Sequence, residues 1–148
     1  MMEYWKHKAM DKLRDYPLQK NALQNLSEEI ERLESEAYSI KSATGDGTPV
    51  IGGGSGREER LLSNIVKREE HKAMLHRAKL AVQMVDRGLA SLSDDEKHML
   101  EVMYIVSERG RVERLLNEFG LQEESSLYKR INKALHRFTI AMYGATES

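Results

Sequence analysis

The chain has 148 residues, 40% of them hydrophobic and 32% charged, with a net charge of -1, two prolines and no cysteine. That length allows one sizeable core or two small ones, and the high charge with little proline favours a helical, much-exposed chain over a compact β fold. Disulfides and thiolate metal sites are excluded, and bulk charge alone does not hold such a chain on a polyanion.

The first residues, MMEYWKHKAMDKL, lack the apolar stretch of a signal peptide. No run approaches the roughly 18 apolar residues of a membrane span, so a soluble chain with no membrane partner is expected. A first helix is predicted over residues 3–16, stopped near Pro17 because proline disfavours helical geometry in the residue before it. A second helix follows, in which Leu23, Leu26, Ile30, Leu33, Ala37 and Ile40 alternate steps of three and four and so form one stripe that requires a partner. Residues 42–56, SATGDGTPVIGGGSG, hold six glycines and a proline and read as a flexible connection. From Arg57 a long helix is predicted to about Leu89, with Leu75, Ala78, Val82, Val85 and Leu89 again on a three-four spacing. Residues 1–90 are therefore expected to form a coiled-coil-like helical hairpin around the glycine-rich loop.

A second domain is expected over residues 91–148. Ser93 with Glu96 three positions on makes a capping box for a helix that buries Met99, Leu100 and Met103. In RVERLLNEFGL, Val112, Leu115, Leu116 and Phe119 line a short amphipathic helix that Gly120 ends in left-handed geometry. The segment ESSLYKRINKALHRF then places Leu127, Ile131, Ala134, Leu135 and Phe138 on one face and Ser125, Lys129, Asn132, Lys133 and His136 on the other. Charge is unevenly spread: residues 57–90 carry eight Lys/Arg against five Asp/Glu, and residues 109–137 seven against four.

Two helices joined by a tight glycine turn, the second longer and basic outside and the pair preceded by a supporting helix, make the helix-turn-helix arrangement, whose second helix enters the major groove. The runs LSDDEKHMLEVMYI, RVERLLNEFGL and SSLYKRINKALHRFTIAMYG resemble the sigma-factor region-four type of helix-turn-helix. More narrowly, they are similar to phage late-gene transcriptional regulators of the ArpU and RinA type. The carrying features are Leu100 to Tyr104, the Phe119-Gly120-Leu121 turn, Ser125 to Lys129, the Ala134-Leu135 pair and Tyr143-Gly144. The resemblance implies a non-enzymatic regulator in the cytoplasm of a bacterial host that binds double-stranded DNA near a late promoter and positions host RNA polymerase. The sequence departs from the family at Glu123, where a serine is common. Glu123 and Glu124 then either stabilise the helix N-terminus through its dipole or accept from cytosine N4, and the first reading is favoured because carboxylates repel nearby phosphates.

By position, Ser125, Ser126, Lys129, Asn132 and Lys133 are the candidates for DNA contact, with Tyr128 and Arg130 beside them. Lysine and arginine would hold phosphates, whereas the serines and Asn132 would read bases. Tyr128 reads equally as an aromatic at the core's edge. Arg109, Arg111 and Arg114 are placed to grip the flanking backbone. A dimer held by the hairpins is expected, with a fragment of residues 91–148 keeping its helices but losing specific affinity. A small terminase subunit that binds packaging-site DNA as a ring, and a helical adaptor or inhibitor that binds protein without touching DNA, are the alternatives. No cofactor or metal is expected: His71 and His76 diverge by about 140° on a helix, Asp95-x-x-His98 lacks the second motif of a di-metal bundle, and GGGSGRE lacks the Lys-Ser/Thr ending of a phosphate loop. Covalent catalysis has no candidate nucleophile.

Overall fold

The computed structural model describes residues 3–42 and 53–144. The fold is all-α: the described residues form α1 (Tyr4–Ser42), α2 (Gly53–Ala90), α3 (Asp94–Leu100), a π-helical segment (Glu101–Val106), α4 (Arg111–Phe119) and α5 (Glu124–Tyr143).

Two boundaries differ from expectation. Pro17 does not stop a helix but lies inside α1. Its ring removes one donor and crowds the preceding turn, a cost of about 3 kcal/mol in an isolated helix. Tertiary burial on its N-terminal side, at Trp5, Ala9 and Leu13, offsets that cost. At the start of α2, Gly53 to Gly56 are helical where a loop was expected. The first turn of a helix needs no intrahelical N–H partners, so glycines are tolerated there better than inside. The rest of the expected loop, residues 43–52, lies outside the described residues.

By compactness the chain divides into two units, Asn21–Lys79 and Met1–Lys20 with Leu80–Ser148. The boundary therefore runs through α1 and α2, whereas the expected division fell at residue 90. In the first unit, Asn64 Nδ2 donates to the Leu33 carbonyl at 2.8 Å and Arg57 donates to the Lys41 carbonyl at 3.1 Å, so α1 and α2 pair antiparallel there. Ile30, Leu33, Ala37 and Ile40 are buried as their spacing requires, whereas Leu23 and Leu26 are half-buried. Asn64 is a polar residue within this apolar seam. Its carbonyl oxygen also accepts from Arg68 at 2.7 Å, so both ends of the amide are satisfied.

The second unit has one core, to which every part of it contributes. Trp5, Ala9 and Leu13 of α1 and Val85 and Leu89 of α2 join Met99, Leu100, Leu115, Leu127, Ile131, Leu135 and Phe138. The predicted capping box is present: Ser93 Oγ accepts from the Glu96 N–H, and Glu96 accepts from the Ser93 N–H. Burial pushes the Glu96 carboxyl up, but those two bonds and Arg137, 3.1 Å away, hold it below the usual value. After Leu100 the helix widens. The Ser107 N–H bonds to the Val102 carbonyl, five residues back, and Ser107 then turns left-handed with φ 54°. Val102, Met103 and Tyr104 are buried in succession within this wider turn.

Gly88 is where α2 meets α5. A Cβ there would stand 2.6 Å from two ring carbons of Phe138, a fully buried side chain with nowhere to go. Gly88→Ala is therefore expected to destabilise by about 1–3 kcal/mol through overpacking, partly offset by about 1 kcal/mol of helix propensity. A raised melting temperature would mean that the contact yields easily. Close by, Tyr16 donates its hydroxyl to Asp86. Burial, then that bond and the carboxylate's charge, push the phenol up to about 12 from its ordinary 10.0. Folded Tyr16 holds its proton longer than unfolded Tyr16, so this pair contributes stability fully present below about pH 10 and lost as pH rises towards 12. Melts of Tyr16→Phe and wild type should converge over that window, and a constant gap between them would contradict the assignment.

Candidate nucleic-acid interface

The two faces of α5 separate as the periodicity requires. Leu127, Ile131, Ala134, Leu135 and Phe138 are buried, and Ser125, Lys129, Asn132, Lys133 and His136 are exposed. The turn that sets α5 against α4 is built by Gly120, at φ 64°, with the Leu121 N–H bonding back to the Leu116 carbonyl at 2.8 Å. Of the α4 positions expected to be buried, Leu115 is fully so, and Val112, Leu116 and Phe119 are half-buried against the core.

The exposed face carries uncompensated positive charge. Lys129, Arg130 and Lys133 are exposed and make no ion pair among the described residues, and Asn132 is exposed with its amide unengaged. Arg137, one turn on, is instead tied to Glu96. Ser126 is half-buried, while the exposed Ser125 donates a long 3.4 Å bond to Glu123. Glu123 sits at the N-cap in extended geometry without a side-chain capping bond, and Glu124 lies in the first turn. Both carboxylates thus mark the helix end, and the basic run begins one turn later.

The three arginines of α4 and its approach come together. Arg109, Arg111 and Arg114, with Val102, Val106, Glu108 and Gly110, line a cavity of about 130 Å³ at the α4 N-terminus. They are not equivalent. Arg109 is exposed, whereas Arg114 bonds Glu118 at 2.8 Å. That bond, then one with His98, holds the Glu118 carboxyl below the usual range. Arg111 is half-buried, and its Nε is buried without a hydrogen-bond partner. Tyr128 is 39% exposed, one position after the fully buried Leu127. Burial and Tyr128 raise the Tyr104 phenol against the opposing effect of Arg14 and Arg111.

Sequence reasoning had no reason to place Arg14 here. It belongs to α1, and its guanidinium lies 6.0 Å from the Tyr104 ring centre. The signal was the Trp5, Ala9, Leu13 spacing, which marks α1 as a core helix and sets Arg14 at its edge. Two of the three histidines weighed as metal ligands have other contacts: His71 Nδ1 meets the Lys67 carbonyl at 2.7 Å, and His98 pairs with Glu118. Among the described residues no group of three metal-ligating side chains exists, and no helix is long and apolar enough to cross a membrane. No protein-family profile, curated protein or solved structure matches this chain.

Proposed function

We propose that this chain is a DNA-binding transcriptional regulator, of the phage late-gene kind its sequence resembles, that lays α5 in the major groove of duplex DNA. The observation that carries the reading is the exposed face of α5, where Lys129, Arg130 and Lys133 have no counter-charge among the described residues and surround the unengaged amide of Asn132. Unpaired cations on one helix face displace phosphate counterions, and an asparagine among them offers a bidentate partner to adenine. Arg109 and Arg111 extend the basic surface to the start of α4. Activation would follow from placing host RNA polymerase, with a second copy of the chain supplying the second half-site.

The test is equilibrium binding of the full chain to labelled duplex across a salt series, with sequencing of the genomic fragments it retains. Affinity that falls linearly on a log-log scale, with one enriched sequence, is the expected result. Salt-independent binding, or none at low salt, would leave the face as solvated surface.

A further inference from the structure

We propose that the first turn of α1 makes a second nucleic-acid contact beside α5, in which Lys6 holds one backbone phosphate at the border of the groove that α5 enters. Naming duplex DNA as the ligand rests on the DNA-binding reading, whereas the place of Lys6 beside α5 does not.

Two ring contacts in series put Lys6 there. Trp5 is buried in the core that α1 shares with α5, and its indole meets the His136 ring edge-on, with 5.5 Å between the ring centres. His136 lies on the exposed face of α5, about one turn beyond Asn132 and Lys133. The Lys6 ammonium lies 5.6 Å from the centre of that same indole. One side chain, Trp5, therefore joins a residue of the α5 face to a cation from the opposite end of the chain.

That cation is available to an outside anion. Lys6 is half-buried and makes no ion pair among the described residues. The carboxylate nearest to it in sequence, Glu3, accepts from the Trp5 Nε1–H instead. An ammonium held against an aromatic ring keeps its full charge and gives up no N–H donor to a carboxylate, so a phosphate oxygen binds it without first breaking a salt bridge. Contacts of this kind position a protein on the duplex and carry no sequence information. Lys6 is thus expected to add affinity, and α5 to choose the site.

Lys8 is the internal comparison. Two residues on, it points about 200° away around the helix, and its ammonium lies 5.2 Å from the ring centre of Tyr4, which is 62% exposed and takes no part in the core.

The test uses the full chain and three variants, Lys6→Gln, Lys6→Arg and Lys8→Gln, each checked for wild-type helicity and melting temperature. Duplex affinity is measured against salt. Lys6→Gln should reduce the log-log slope by about 1, Lys6→Arg should restore it, and Lys8→Gln should leave it at the wild-type value. Trp5 is the chain's single tryptophan, so its emission should also change as duplex is added, with the same midpoint as the binding curve. A wild-type slope in Lys6→Gln, in a chain whose slope still falls on Lys129→Ala, would overturn the Lys6 contact and leave the reading of α5 standing. Equal losses in Lys6→Gln and Lys8→Gln would overturn it as well, because they would report the charge of the chain and not a contact. Trp5 emission that stays constant while duplex binds would place the DNA away from the first turn of α1, with the same consequence. No duplex binding by the wild type at low salt would end both readings.

Discussion

Leu13→Ala is expected to lower the stability of the unit that carries α5 by about 2–5 kcal/mol, although Leu13 and α5 lie at opposite ends of the chain. Leu13 is fully buried in one core with Leu100, Leu115, Ile131 and Phe138. Truncating it strips apolar packing from the core and leaves a cavity that helices on all sides must collapse to fill. Trp5 is the chain's single tryptophan and belongs to the same core, so its fluorescence reports on this unit directly. A urea midpoint that falls in step with the disappearance of α5 helicity is the expected outcome. An unchanged midpoint would mean that α1 only rests on the unit and does not help to build it. The same packing corrects the expectation for a fragment of residues 91–148. Such a fragment lacks Trp5, Ala9, Leu13, Val85 and Leu89, five members of its own core. It is expected to be poorly packed, and its failure to bind DNA would say nothing about dimerisation.

The second large effect concerns binding. Replacing both Lys129 and Lys133 by alanine should reduce the slope of log affinity against log salt by about 2, because each lysine neutralises one phosphate. Over a four-fold change in salt, that difference amounts to about fifteen-fold in relative affinity. Both side chains are exposed and unpaired among the described residues, so the variant should keep wild-type stability, which distinguishes weakened binding from unfolding. Asn132→Ala should instead change which sequence is preferred while leaving the slope nearly as it was, because hydrogen bonding to a base edge releases no counterion. A double lysine variant that binds with the wild-type slope would move the interface off this face.

Much of this was legible from spacing. Positions that share a helix face are fixed by 3.6-residue geometry, so the buried residues of α5 and the exposed run beside them follow from the order of residues alone. The Ser93 and Glu96 box and the Gly120 turn are equally local, since each depends on backbone groups within a few residues. What depended on distant partners was not legible. Pro17 looked like a stop because its cost is local and the burial that offsets it is not. Val102, Met103 and Tyr104 are buried in succession within a π-helical turn, which no periodicity announces. Nothing near Gly88 in sequence marks its constraint, which comes from Phe138, fifty residues on. Arg14 stands over the Tyr104 ring for the same reason: its place is set by the core that Trp5, Ala9 and Leu13 share with the C-terminal helices.

The central claim is that the exposed face of α5 meets duplex DNA, and backbone amide shifts of the full chain on titration with a duplex test it most directly. The largest changes are expected along residues 125–133, with a second set at Arg109 and Arg111 and little change over Asn21–Lys79. Shifts confined to residues 21–79, or none at duplex concentrations that saturate non-specific binding, would contradict it.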